Sequence, residues 1–388
     1  MLPTAVRIFR STDTGAPVLR GQVGDMIALL DACLVNGYGA GTVTSITRSG
    51  STATATRTAH LYAEHDVIEH SGANQTEYNG AFKIFNVTAN TYDFEVTGTP
   101  VTPATGTISG KKPKAGFSKE FSGTNLAVYR ADDAASTRLR LRVDDTTTTH
   151  ATIKAYETMS DVNTGTGPYP GTLHYWVKSI NADTASRLWA LVSDGFIFYL
   201  FVAHNSVNNL GYSLYAFGDV LSLRQGDAYH CILIGMNSNT ASLSPGTQSQ
   251  GPLLSGYHVS PTYPGTQTLA RSYTQLGGAV DVAKIALGFA GSIHAIGYGS
   301  NQLLGYPHIV DNSLVAVPVM LSESLTAIRG AMPGYFAPLH INPGTRLSIL
   351  GDWPALPGRK VWLFPQGNGN SSANFEGRCL IDLTGPWR

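Results

Sequence analysis

The chain of 388 residues carries 26 Lys+Arg against 26 Asp+Glu, so its formal net charge is zero and no basic face for nucleic acid is implied. Apolar residues make up 43%, enough for a large core, while charged residues are only 13%, about half the usual share. Such a surface does little to repel its neighbours and suits a chain packed in an assembly.

The N-terminal stretch MLPTAVRIFRSTDTG has no apolar core of signal-peptide length. The clearest helix follows in GQVGDMIALLDACLVNGYGAG. Val23, Met26, Ile27, Leu30, Cys33 and Leu34 fall on one face at helical spacing. Asp25 suits the positive end of the helix dipole, and Gly37 supplies the stop. The apolar stripe is expected to pack on a sheet, so residues 1–40 read as part of the main domain.

Residues 41–111 change texture. GTVTSITRSGSTATATRT places two Thr-rich runs around Arg48-Ser49-Gly50, a hairpin signal. HDVIEH, GAFKIFNVT, TYDFEVT and TGTISG follow as short strands, with GANQTEYNG and GTPVTPA as turns. This pattern predicts an inserted small β-barrel or immunoglobulin-like module. KKPK, from Lys111 to Lys114, marks its exit, because proline breaks strand pairing.

Residues 112–388 read as the main β domain, sandwich-like and multi-stranded. In TRLRLRVDD, Leu139, Leu141 and Val143 point one way and Arg138, Arg140 and Arg142 the other. RLWALV and FIFYLFVAH flank a Ser-Asp-Gly turn and read as a hairpin buried on both faces. That stretch is too short and too broken to span a bilayer. YSLYAFGDVLSL and AYHCILIGM form another pair around RQGD. Residues 237–268 are a long Ser/Thr/Gly/Pro loop of open role. Strands return at TRLSIL, RKVWLFP and RCLIDL.

The chemistry-bearing residues do not assemble into a known catalytic pattern. Cys33, Cys231 and Cys379 are far apart and odd in number, which reads as three buried thiols. His60, His65 and His70 recur every five residues, so on strands they alternate in face; turn-capping or solvated histidines are expected, not a metal site. Asp132, Asp133, Asp144, Asp145 and Asp161 lack calcium-loop spacing. Pairing with the Arg138/Arg140/Arg142 row is the simpler expectation, with a glycan or lipopolysaccharide phosphate on that row as the functional alternative. No GxSxG elbow and no GxxxxGK[ST] cradle occurs. Trp176, Trp189, Tyr257, Tyr263 and Trp353 are expected in cores or interfaces, although such rings also stack on sugars.

The order of several segments resembles a family of tailed-bacteriophage virion proteins encoded among tail genes. They are TGAPVLRGQVGDMIALLDACLVNGYG, FSGTNLAVYRADDAASTRLRLRVDD, AYETMSDVNTGTGPYP, YAFGDV with GDAYHCILIG, RGAMPGYFAPLH and the terminal DLTGPWR. The stretch from Thr56 to Gly110 separately resembles a small β-module scattered through phage structural proteins. The resemblance implies a non-enzymatic virion component of the tail tip or baseplate, made in the host cytoplasm and needing no cofactor. The partners expected are other tail or baseplate proteins and further copies of the chain, three being the expected number. The alternative is a tail protein that binds a host receptor, a surface glycan or pilus. An enzyme trimming cell-surface polysaccharide is a third class.

RGAMPGYFAPLH, from Arg329 to His340, carries a Pro-Gly turn signal, two aromatics and a histidine. Its residue types supply rigidity, so a structural loop is expected instead of a site with His340 as base. Arg329 is expected to reach a carboxylate. At the C-terminus, Trp387 is expected to be buried in its own core or in a neighbour. The candidate interface residues are therefore Arg138, Arg140, Arg142, Asp144, Asp145, Arg329 and Trp387.

Overall fold

The computed structural model describes residues 6–205, 212–239, 267–286, 306–324, 327–340, 344–345, 347–366 and 377–388. Among these the chain is mainly β, as expected, with one substantial helix.

A central antiparallel sheet runs in the order Arg7–Arg10, Trp189–Ser193, Ile197–Val202, Ser213–Asp219, Cys231–Ile234, Gln267–Leu269 and Val280–Asp281. Its middle strands are buried at every position, and mostly apolar, because both faces are covered. Phe198, Leu200, Tyr215, Phe217 and Leu233 pack to one side; Ile197, Tyr199, Phe201, Leu214 and Ile234 pack to the other. The hairpin expected between RLWALV and FIFYLFVAH forms, with Trp189 opposite Val202.

On the first side lies a five-stranded sheet, ordered Gly165–Val177, His150–Met159, Arg140–Asp144, Leu126–Ala131 and Phe117–Gly123. The helix completes this layer. It is α-helical over Asp25–Leu30 and continues with wider turns over Asp31–Asn36. Met26, Leu29, Leu30, Cys33 and Leu34 are buried. Val23 is a correction to the stripe: it precedes the helix and is exposed. Gly37 has φ 70°, and a Cβ there would fall 2.2 Å from the Lys112 carbonyl oxygen, so only glycine fits the stop.

On the second side lies a sheet ordered Ala283–Ala286, Ala316–Ser324, Ala327–Pro338, Gly377–Asp382, Val361–Gln366 and Ile349–Leu350, with Leu221–Ser222 added on Ala327–Pro338. The main domain thus stacks three sheet layers. RGAMPGYFAPLH is a strand here, not a loop. Met320 pairs with Ala331 and Pro318 with Phe336, so the intervening Val319 faces a bulge of residues 332–335. Pro333 and Gly334 fall within that bulge, where no ladder bond is required of proline. The freed Pro333 carbonyl accepts a hydrogen bond from the Tyr199 hydroxyl at 2.8 Å. His340 is structural, its Nε2 accepting from the Val315 amide at 2.7 Å.

Seven strands make the fourth sheet, in the order Tyr38–Thr42, Gly106–Lys112, Val67–Ala73, Gly80–Phe85, Thr91–Glu95, Thr52–Thr56 and Ser45–Ser49. The sheet wraps its own core of Ile46, Ile68, Tyr78, Ile84, Tyr92 and Phe94. Its first and last strands in sequence pair at Tyr38 and Lys112, which brings the two ends of the segment together. Most of loop 237–268, including Tyr257 and Tyr263, lies outside the described residues. No helix among the described residues is long and apolar enough to cross a membrane.

Candidate interface and its ionic supports

The arginine row is satisfied within the chain. Leu139, Leu141 and Val143 are buried as expected, leaving Arg140 and Arg142 on the outer face. Arg140 grips Glu120 with two nitrogens, at 3.0 and 3.3 Å, and donates to the Glu157 carbonyl at 3.1 Å. Arg142 donates to the Val162 carbonyl at 2.8 Å and to Asn163 Oδ1 at 3.1 Å. Arg138 precedes the strand, at φ 53°, and so does not extend the row. The expected Asp–Arg pairing needs correction: only Asp144 approaches, at 3.6 Å from Arg142, and Glu120 is the main counter-ion. Asp144 instead closes a turn by accepting from Thr146 Oγ1 at 2.7 Å.

Asp145 works inside the fold. It is fully buried against Lys178, whose Nζ also donates to the Gln22 carbonyl at 2.6 Å. Its Oδ2 accepts the Met26 amide at 2.8 Å and the Ile27 amide at 3.3 Å. The helix start is thus capped by a residue 119 positions away. Burial pushes the Asp145 carboxyl up to about 6 and draws Lys178 down, against the pull each exerts on the other.

Arg329 reaches a carboxylate in the core. Its Nε and Nη2 donate to Asp227 at 2.9 and 3.0 Å, and Nη1 pairs with Glu323. The Arg329 and Asp227 side chains are both buried. This clamp ties the turn between the central strands Ser213–Asp219 and Cys231–Ile234 to the strand Ala327–Pro338. Trp387 is buried in the chain's own core, its ring tilted against Tyr199 at 5.6 Å, with Nε1 donating to the Asp382 carbonyl at 3.1 Å. Arg388 follows it to Asp194, at 2.7 Å.

Among the described residues no group of three or more His, Cys, Asp or Glu converges as a metal site. The three cysteines are buried. His60 caps a turn, its Nδ1 accepting the Tyr62 amide at 2.9 Å. His70 is neither solvated nor a cap. It sits in the module core, 2.7 Å from the Tyr92 hydroxyl, and burial lowers it to about 4. Trp176, Trp189 and Trp353 are core residues.

Two groupings escaped the sequence. The module docks through a buried ionic cluster in which Lys112 meets Asp66 at 2.6 Å and Asp13 at 3.4 Å, and Arg10 meets Asp66 at 2.8 Å. Burial alone would raise Asp66, but Lys112 and Arg10 hold it below the usual carboxylate range. The second is an apolar patch around the Arg329 clamp. Leu223, Tyr273, Leu276 and Ile328 are 63%, 42%, 75% and 36% exposed. The Leu223 amide donates to the Arg329 carbonyl at 3.0 Å, and Arg224 lies over the Tyr273 ring at 5.4 Å. Gln275 reaches the Gly226 carbonyl at 3.1 Å. These cross-links hold the loops carrying the patch together.

No family model and no curated protein matches the chain. A solved structure, the phage phi92 endosialidase, overlays on 89% of this chain and 52% of its own, at 11% identity and a TM-score of 0.17. The chain spans about half the length of that protein, and so low a score carries no argument about fold or activity.

Proposed function

We propose that the chain is a structural subunit of a tailed-phage virion, placed at the tail tip or baseplate and assembled as a homo-oligomer, most simply a trimer. The resemblance of the ordered segments supplies the virion context. The observation that carries the assembly role is the patch of Leu223, Tyr273, Leu276 and Ile328. Exposed apolar groups on a cross-linked support mark interaction sites, because their covering by a partner removes them from water at little ordering cost. The low charge density favours the same contact.

Light scattering on the purified protein tests this. The expected mass is a multiple of the 41.2 kDa chain, falling to one chain in the Leu223→Asp/Leu276→Asp variant. A wild-type protein that stays at 41.2 kDa at high concentration overturns the homo-oligomer.

A further inference from the structure

The outer face of the five-stranded sheet holds four cations, Arg130, Arg140, Arg142 and Lys154, against two carboxylates, Glu120 and Asp144. The register sets Arg142 directly opposite Lys154. Like charges in that position destabilise a sheet. Arg130 and Arg140 share Glu120, and Arg142 is held by the loop carrying Val162 and Asn163. Lys154 has no carboxylate or hydrogen-bond partner among the described residues.

The surroundings of Lys154 are built for access. Ile153 pairs with His174 and Ala155 with Tyr169, so Lys154 alone faces residues 170–173 of the bulged neighbouring strand. A Cβ on Gly171 would meet nothing within 4 Å, and Leu173 is exposed. Two half-buried tyrosines flank the lysine on the same face: Tyr156 two residues along its strand, and Tyr175 opposite Thr152, two residues back. Four residues of strand separate those rows, about 13 Å, the length of a short run of sugar rings.

We infer that this face binds an acidic polysaccharide, with Lys154 taking the sugar acid and Tyr156 and Tyr175 lying under the rings. The charge of Lys154, set opposite Arg142 and without a carboxylate of its own among the described residues, is the reason for an anion, and the spaced aromatic rings are the reason for a sugar chain and not a lone phosphate. The inference is independent of the assembly role.

Calorimetry at low salt tests it, with a galacturonate hexamer as the acidic probe and maltohexaose as the neutral one. The hexagalacturonate is expected to bind and maltohexaose to bind at least about tenfold more weakly. Lys154→Glu is expected to weaken the acidic probe by about tenfold or more, with an unchanged unfolding midpoint, while Lys154→Arg retains it. Lys111→Glu, on the module, is the control and is expected to change nothing. No binding of hexagalacturonate by the wild type overturns the inference. So does equal binding of maltohexaose, equal binding by Lys154→Glu, or an equal loss in the Lys111→Glu control.

Discussion

The Trp387 ring occupies the space that any side chain at position 334 would need: a Cβ on Gly334 would fall 2.2 Å from Trp387 Cε2. Gly334 also has φ 64°, a conformation that costs other residues about 1–3 kcal/mol. Gly334→Ala is therefore expected to destabilise by about 2–5 kcal/mol, strain and overpacking together. Trp387→Ala is expected to cost about 3–5 kcal/mol. The double variant carries the sharper expectation. With the ring gone, Gly334→Ala retains only its backbone strain, so its cost falls. Urea unfolding of all four proteins checks this, and equal costs in both backgrounds would refute the contact.

Arg329 lies at the base of the exposed apolar patch. Arg329→Ala would leave Asp227 buried without its partner, at an expected cost of about 3–5 kcal/mol. Because the clamp supports Leu223 and Tyr273, weaker association is expected alongside the lost stability. Replacing both partners, as Arg329→Met/Asp227→Leu, should recover part of the stability. An unchanged unfolding midpoint in Arg329→Ala would count against the clamp.

Acid should destabilise the protein between about pH 6.5 and 4. Burial holds His70 and His204 neutral, each at about 4 in the fold. Their contribution is complete above the unfolded value of 6.5 and is lost as pH falls through the folded value. Each is worth up to about 3 kcal/mol. Asp145 acts in the opposite direction. Its folded value is raised to about 6, so its contribution is present below the unfolded value and lost as pH rises through 6. Two histidines against one aspartate leave a net loss in acid, of about 3 kcal/mol. Urea midpoints from pH 7.5 to 4 measure it. His70→Phe should flatten the decline, and a wild-type midpoint that rises in acid would contradict the assignment.

The module should be removable. Residues 41–111 join the body where Tyr38 and Lys112 pair, so a short Gly/Ser linker can replace them. The remainder keeps three of the buried groups at the joint: Lys112 stays 3.4 Å from Asp13, and Arg10 stays beside Asp13. A single cooperative unfolding transition at a lower midpoint is expected. A remainder without such a transition would show that the module is integral to the body.

Local chemistry was the legible part of this fold. The hairpin at Gly50, the continuous apolar run from Ile197 to Val202 and the end of the helix at Gly37 each follow from neighbours in sequence. Those features depend on period, turn residues and the absence of a side chain. The Asp145 cap and the Arg329–Asp227 clamp join positions 119 and 102 residues apart, and no spacing rule encodes such meetings. Pro333-Gly334 misled for a related reason. The same residues that close a turn also serve a bulge, and only the pairing of Pro318 with Phe336 and of Met320 with Ala331 separates the two. The exposed patch was illegible because Leu223, Tyr273, Leu276 and Ile328 come from three separate stretches, each ordinary alone.

Immunogold electron microscopy on virus particles produced from the genome that carries this coding sequence tests the proposed virion role most directly. Antibody raised against the purified protein should label one end of the tail, at several copies per particle. Particles that carry no label, or label confined to the capsid, would contradict the tail assignment.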